Sequence, residues 1–132
     1  MTTNEMADAM LKRIGTYGSV TFVELRRLFG QEAKGQLSIV LAEYPNIVLW
    51  TGVSKTFVDA FDFIRSKIRL KSTSELTYLI DGGILQMPIA KKKCDYKEPH
   101  WAPVCLNLGP GDQRLFELTF DREEWARDVV PR

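Results

Sequence analysis

Apolar residues recur with a helical period through the first third of the chain. One set lies at spacings of four, four and three and predicts a helix over residues 5–17: Met6, Met10, Ile14 and Tyr17. Thr21 and Glu24 then form a T-x-x-E capping box, which predicts a second helix that ends at Gly30. A further set follows the i, i+3, i+4, i+7 pattern and predicts a third helix over residues 33–44: Leu37, Val40, Leu41 and Tyr44.

Two more elements precede a change of period. The apolar run over residues 46–53 ends near Gly52 and predicts a strand. Ser54 is well placed to cap a fourth helix over residues 55–66, because Phe57, Phe61 and Ile64 share one helical face.

From residue 68 onward apolar and polar residues alternate, which is typical of half-buried strands. Strands are expected over residues 68–71, 76–80, 84–89, 100–108 and 115–120, with a hairpin turn at Asp81-Gly82-Gly83. Ser72-x-x-Glu75 also fits a capping box, so residues 73–80 are alternatively a short helix that ends at Gly82. Pro103 favours an edge position for its strand.

Composition indicates one globular domain over residues 1–132, since 45% of the residues are hydrophobic and 27% are charged. The formal net charge is only +1, but it is unevenly distributed. Residues 1–93 hold 13 Lys or Arg against 9 Asp or Glu, and residues 112–132 hold 4 against 6. The front of the chain is therefore mildly basic and the tail mildly acidic.

The compartment expected from the sequence is the cytoplasm. The chain has two cysteines, Cys94 and Cys105, fewer than most disulfide-stabilised secreted domains carry. Its first ten residues lack the apolar stretch of a signal peptide, and no run approaches 18 apolar residues.

Three short helices followed by an alternating β segment resemble the winged helix-turn-helix superfamily over residues 5–80. The features that carry the resemblance are the cap at Thr21, the turn Phe29-Gly30-Gln31-Glu32, the helix through Leu37, and the run Asn46 to Trp50. The expected fold class is α+β. A winged-helix-like core (residues 5–80) precedes an antiparallel β-rich extension (residues 81–132) with a short C-terminal helix at Asp121-x-x-Glu124.

Two assignments of the recognition helix stay open. In the first, which has the better turn and which we favour, it is the helix over 33–44. In the second it is the helix over 55–66, and residues 68–80 form the wing. The second assignment has the denser set of basic residues: Lys55, Arg65, Lys67, Arg69 and Lys71.

The resemblance implies a small DNA-binding protein, regulatory or associated with a mobile element, that forms a homodimer on double-stranded DNA. Arg26, Arg27 and Lys55 would contact phosphates, and Gln36 and Ser38 would read base edges. The other expected DNA-binding residues are Lys34, at the start of the first recognition helix, and Arg69 and Lys71 of the second assignment. Any one of them could instead belong to a solvated face, as could the run Lys91-Lys92-Lys93.

The alternative function is a protein-interaction adaptor on the same scaffold. Trp101 or Trp125 would anchor its partner, unless they are ordinary core residues. An enzyme is not expected, because the one histidine, His100, has no G-x-S-x-G serine or glycine-rich phosphate loop to work with. Cys94, His100 and Cys105 lack the spacing of a zinc site, so no metal or cofactor is expected.

Overall fold

The computed structural model describes residues 1–110 and, beyond them, the backbone of residues 118 and 119. In chain order the elements are α1 (Thr3–Tyr17), α2 (Phe22–Phe29), β1 (Lys34–Leu41), β2 (Ile47–Val53), α3 (Lys55–Ile64), β3 (Ile68–Ser72), α4 (Glu75–Asp81), β4 (His100–Trp101), β5 (Val104–Leu108) and β6 (Leu118–Thr119). Short 3-10 turns follow α2 (Gly30–Ala33) and α3 (Arg65–Lys67). The protein is α+β, as the two hydrophobic periods predict.

Local capping explains where three of the helices begin. The Thr21 hydroxyl accepts from the Glu24 N–H, and the Ser54 hydroxyl accepts from the Phe57 N–H, so the predicted starts of α2 and α3 are confirmed. The full capping box lies instead at the start of α1, where Thr2 and Glu5 bond each other reciprocally.

The predicted helix over residues 33–44 is wrong, because this segment is a 3-10 turn followed by strand β1. Four consecutive residues at the end of β1, from Ser38 to Leu41, are buried. Such a continuous run is typical of a strand covered on both faces, whereas a helix would leave some of them exposed. β1 pairs antiparallel with the equally apolar β2. The first assignment of the recognition helix is therefore also wrong, because it requires a helix over residues 33–44.

The strand over residues 76–80 and its hairpin are also wrong, and the alternative short helix forms as α4. Its N-cap is Ser74 and not the expected Ser72, which ends β3. The Ser74 hydroxyl accepts from the Leu76 N–H at its start, and Gly82 ends it in the left-handed conformation with φ 99°. Of the strand expected over residues 84–89, only an isolated bridge between Ile89 and Trp101 forms.

The strand predicted over residues 100–108 divides at Ala102-Pro103 and serves two sheets. β4 pairs parallel with β2, in a four-stranded mixed sheet of order β4-β2-β1-β6. β5 pairs antiparallel with β3, and Val20 joins its other edge through a bridge to Leu106. The extension is therefore not purely antiparallel. β6 falls within the strand expected over residues 115–120, and the helix expected from Asp121 lies outside the described residues.

The largest side chains of the core are aromatic. Phe22 of α2 packs against Phe57 and Phe61 of α3, with ring centroids 6.5 and 5.2 Å away. Trp50, Tyr78 and Trp101 form a second cluster, with centroids 5.0–6.2 Å apart. Tyr78 is the buried residue of α4, so this second cluster fixes that helix to the rest of the molecule.

At Gly35 the start of β1 passes close to the backbone of Val53 and Ser54, at the end of β2. A Cβ at this position would lie 2.5 Å from the Val53 carbonyl oxygen and 2.6 Å from the Ser54 Cα, both backbone atoms. Gly35→Ala should therefore lower the free energy of unfolding by about 1–3 kcal/mol through overpacking. Gln36→Ala, at the exposed neighbouring residue, is the matched control. Urea unfolding curves compare the two, and equal midpoints would contradict this close approach.

Candidate functional site

One of the two residues predicted to read base edges is buried, and the other is exposed. Ser38 is fully buried, and its hydroxyl lies 2.8 Å from the Thr51 hydroxyl across the β1–β2 pair. Its assignment as a DNA contact was wrong, because the segment is a strand whose side chain at this position points into the protein. Gln36 is exposed, but on a strand.

On the outer surface of α3 and the turn that follows it, Lys55 and Arg65 each lie beside a carboxylate. The Lys55 ammonium lies 3.1 Å from the Asp59 carboxylate, and the Arg65 guanidinium lies 3.6 Å from the Asp62 carboxylate. Phe63, 61% exposed, directly follows Asp62 in the chain. Carboxylates on this surface repel phosphate, so α3 presents little net positive charge for DNA.

Arg69 and Lys71 are exposed on β3, two residues apart and hence on one face of the strand. The Arg69 Nε donates to the Pro110 carbonyl oxygen at 3.3 Å, and its side chain covers Gly109. These two residues belong to the β3–β5 sheet, whereas Lys34 begins a strand of the other sheet.

Three of the predicted basic residues do come together. Arg26, Arg27 and Lys34 line a groove of about 290 Å³ with Val23, Gly30 and Gly82. The groove lies where the end of α2, the start of β1 and the end of α4 meet, and Arg27 joins two of these elements by donating to the Asp81 carbonyl oxygen. The sequence predicted these residues as DNA contacts of a helix pair that does not form. The fold nevertheless places all three in one groove.

Acidic side chains of the same segments are engaged elsewhere. Glu24 accepts from the Arg13 guanidinium at 2.7 Å, and Glu32 from the Met1 amino group at 2.7 Å. The Asp81 carboxylate accepts from the Thr21 hydroxyl at 2.6 Å. None of these acids lines the groove, so the groove is positively charged.

A buried tyrosine holds α4 in place. The Tyr78 hydroxyl donates to the Val104 carbonyl oxygen at 2.5 Å and accepts from the Phe22 N–H at 3.3 Å. Burial raises the pKa of Tyr78 well above its ordinary value, because the phenolate would lose its hydration. Together with Asp81, which bonds both Thr21 and Arg27, this residue attaches α4 to α2 and β5.

The opposite side of α4 is apolar and exposed. Leu76, Leu79 and Ile80 are 59%, 57% and 76% exposed, and their i, i+3, i+4 spacing places them on one helical face. We call these three residues the α4 face. Leu28, 45% exposed, lies in the last turn of the neighbouring α2, directly after Arg27. Sequence reasoning missed the α4 face because it favoured a strand there, which would have buried one side of the segment.

Trp101 is not an exposed anchor. It is fully buried and packs edge-on against Tyr78 with ring centroids 5.0 Å apart, so its assignment to a partner surface was wrong and the core interpretation is correct. The strand β4 that carries it is covered by its neighbours, which the alternating pattern alone did not reveal. Trp125 lies outside the described residues.

No protein-family model, no curated protein and no solved structure matches this chain. Among residues 1–110, no cluster of three His, Cys, Asp or Glu side chains is arranged to hold a metal ion, and both cysteines are free thiols. In the same part of the chain, every helix is too short or too polar to cross a membrane. The groove and the α4 face are therefore the features on which a functional proposal rests.

Replacing Tyr78 should reveal how firmly α4 is attached. Tyr78→Phe leaves the Val104 carbonyl and the Phe22 N–H without their partner, which should lower the free energy of unfolding at pH 7 by about 1–3 kcal/mol. Because the folded pKa is raised, the Tyr78 contribution is fully present below about pH 10, the ordinary value, and is lost as the pH rises above it.

Urea unfolding at pH 7 and pH 10.5 measures both effects. The difference in free energy of unfolding between wild type and Tyr78→Phe should be smaller at pH 10.5 than at pH 7. Tyr17→Phe, at an exposed position, is the control and should stay within about 0.5 kcal/mol of wild type. A difference in free energy of unfolding that stays constant or grows with pH would contradict the burial of the Tyr78 hydroxyl.

Proposed function

We propose that the protein is an interaction adaptor that binds another protein through the α4 face, on a winged-helix-like scaffold. The observation that carries the proposal is the exposure of Leu76, Leu79 and Ile80 on one side of a helix whose other side is fixed to the core. Contiguous exposed apolar surface is costly in water and commonly marks a protein-binding site.

The α4 face has the properties of an interaction surface rather than of a loose segment. Three contacts fix the helix at its core side and its C-terminal end: those of Tyr78, Thr21 with Asp81, and Arg27 with Asp81. The aliphatic side chains are thus presented on a rigid support, which lowers the entropy lost on binding. Leucine and isoleucine side chains of such a face fill apolar pockets of a partner.

The order of elements supports the winged-helix-like scaffold in its second assignment. Val20 lies between α1 and α2 and pairs with β5, and β5 pairs with β3, which follows α3. In this arrangement α1, α2 and α3 would be the three helices, and β3 would begin the β segment, that the resemblance implies. The hairpin β1–β2 would then be an insertion before α3. The wing expected over residues 68–80 does not form as such, because β3 ends at Ser72 and residues 75–81 are helix α4.

DNA binding is the second candidate, and one observation favours it. On this scaffold α3 would be the recognition helix and β3, with exposed Arg69 and Lys71, would flank it. One observation weighs against it: Asp59 and Asp62 lie beside the cations Lys55 and Arg65 and offset their charge. We therefore place the adaptor first.

The α4 face should be required for partner capture. In Leu79→Ser with Ile80→Ser, each truncated anchor costs on the order of 2 kcal/mol of binding if it is central, so retention of specific partners should fall at least tenfold. Phe63→Ser is the matched control, since it removes an exposed apolar side chain from α3 instead. Quantitative mass spectrometry of affinity-purified complexes measures retention. Equal losses in the double variant and the control would contradict the proposal.

Binding to DNA is tested separately by fluorescence anisotropy with a mixed-sequence duplex library. The adaptor proposal expects no binding tighter than about 10 μM at physiological salt. The DNA candidate expects binding that weakens steeply between 50 and 200 mM salt, because counterions are released, and that Arg69→Glu with Lys71→Glu abolishes. Lys12→Glu, at an exposed position on α1, is the charge-matched control. Salt-sensitive binding that only the β3 variant removes would place DNA binding first.

A further inference from the structure

We propose that the partner segment is acidic as well as apolar, and that its carboxylates bind in the groove lined by Arg26, Arg27 and Lys34. This inference rests on the proposed function, because it names the chemistry of the partner at the α4 face. It depends on the charge of the groove, its position beside that face, and the mixture of apolar and basic residues around it.

Two of the three cations of the groove, Arg26 and Lys34, are available to a ligand. Within residues 1–110, neither Arg26 nor Lys34 forms an ion pair, and the acids of the adjoining segments are held by Arg13, the Met1 amino group and Thr21. Arg26 is half-buried and Lys34 is exposed. Their charges attract a carboxylate, and a guanidinium can bind one through two parallel hydrogen bonds.

Part of the positive charge of the groove has a structural role. Arg26 and Arg27 lie in the last turn of α2, where cations offset the negative end of the helix. Lys34 has no such role, because it lies beyond the 3-10 turn at the start of β1. The fold thus brings a third cation, from another element, to the two that α2 already carries.

The groove reaches the C-terminal end of the helix that carries the α4 face. Gly82, which ends this helix, lines the groove, and a Cβ there would lie 3.0 Å from the Arg27 Nη2. Ile80 precedes it by two residues, and α4 is about 10 Å long at 1.5 Å per residue. One short segment of a partner therefore reaches both, with apolar side chains over α4 and carboxylates beyond its end.

Apolar neighbours distinguish an acidic protein segment from nucleic acid. Phosphates would satisfy the cations equally well, but they would leave Leu76, Leu79 and Ile80 in water. A polypeptide with leucine or aromatic anchors and nearby Asp or Glu covers both kinds of surface. Complementary charge then favours encounter and orientation, while the apolar contacts provide most of the affinity.

The test begins with a displayed library of random 12-residue peptides selected on the full-length chain. Enriched peptides should combine apolar anchors with at least two acidic residues. Each is then synthesised with its Asp and Glu as Asn and Gln, and affinities are measured by calorimetry at 50 and 300 mM salt. Neutralisation should weaken binding at least tenfold at low salt and less at high salt, because salt screens the exposed charges.

Variants of the protein locate the charge. Arg26→Glu with Lys34→Glu should weaken the acidic peptide at least tenfold and leave its neutral form unchanged, whereas Lys12→Glu should alter neither. Arg26→Gln with Lys34→Gln is the milder pair, and circular dichroism thermal unfolding establishes that each variant is folded. Ile80→Ser should weaken both peptides.

Each outcome decides between the two proposals. If acidic and neutral peptides bind equally and Ile80→Ser weakens both, the adaptor proposal stands and the acidic partner is overturned. If no peptide is enriched, or binding is insensitive to Ile80→Ser, both are overturned. If light scattering finds a dimer that Ile80→Ser dissociates, or a peptide of residues 120–132 outcompetes every enriched peptide, the occupant is this chain itself and the separate acidic partner is overturned.

Discussion

The hydrogen bonds of the Tyr78 hydroxyl connect the parts of the molecule on which the proposed site depends. The hydroxyl donates to the Val104 carbonyl at the start of β5 and accepts from the Phe22 N–H at the start of α2. Both partners are backbone groups that would otherwise be buried without one, and an unsatisfied buried polar group is costly. A helix of only seven residues is too short to be stable alone, so α4 owes its position to this side chain and its aromatic neighbours.

That attachment determines which residues of α4 reach solvent. With Tyr78 directed inward, the residues at its flanks and on the opposite side are turned out, and three of them are aliphatic. Asp81 reinforces the arrangement by accepting from Thr21, the same residue that caps α2. Hydrogen bonds of Thr21 and Asp81 thus connect the N-terminal cap of α2 to the C-terminal end of α4, the helix that carries the exposed apolar residues.

Sequence predicted well the features that depend on near neighbours. The starts of α2 and α3 followed from Thr21 and Ser54, because a cap involves residues three positions apart. The segment from Lys34 to Leu41 failed because its apolar spacing satisfies a helical period, while its strand conformation depends on pairing with β2 and on cover from distant residues. Gly35 was the available signal, since glycine is unfavourable within a helix and necessary where two backbones cross.

The same distinction applies to the candidate site. Arg26, Arg27 and Lys34 were predicted as DNA contacts of a helix pair, but the groove that they share needs the end of α4, which the sequence favoured as a strand. The aliphatic row was missed for that reason too. Exposure of an apolar residue is a property of the whole fold, so no local pattern distinguishes Ile80, which is exposed, from Ile68, which is buried.

The division of one extended segment at Ala102-Pro103 has a consequence for cooperativity. Trp101 belongs to the sheet that contains β1 and β2, and Val104 belongs to the sheet that contains β3. Only two residues separate these pairings, so neither sheet can separate from its neighbours without straining the other. The protein should accordingly lose both sheets in one unfolding transition. A ligand bound beside α4 would then raise the free energy of unfolding of both sheets together, because Tyr78 connects α4 to Val104.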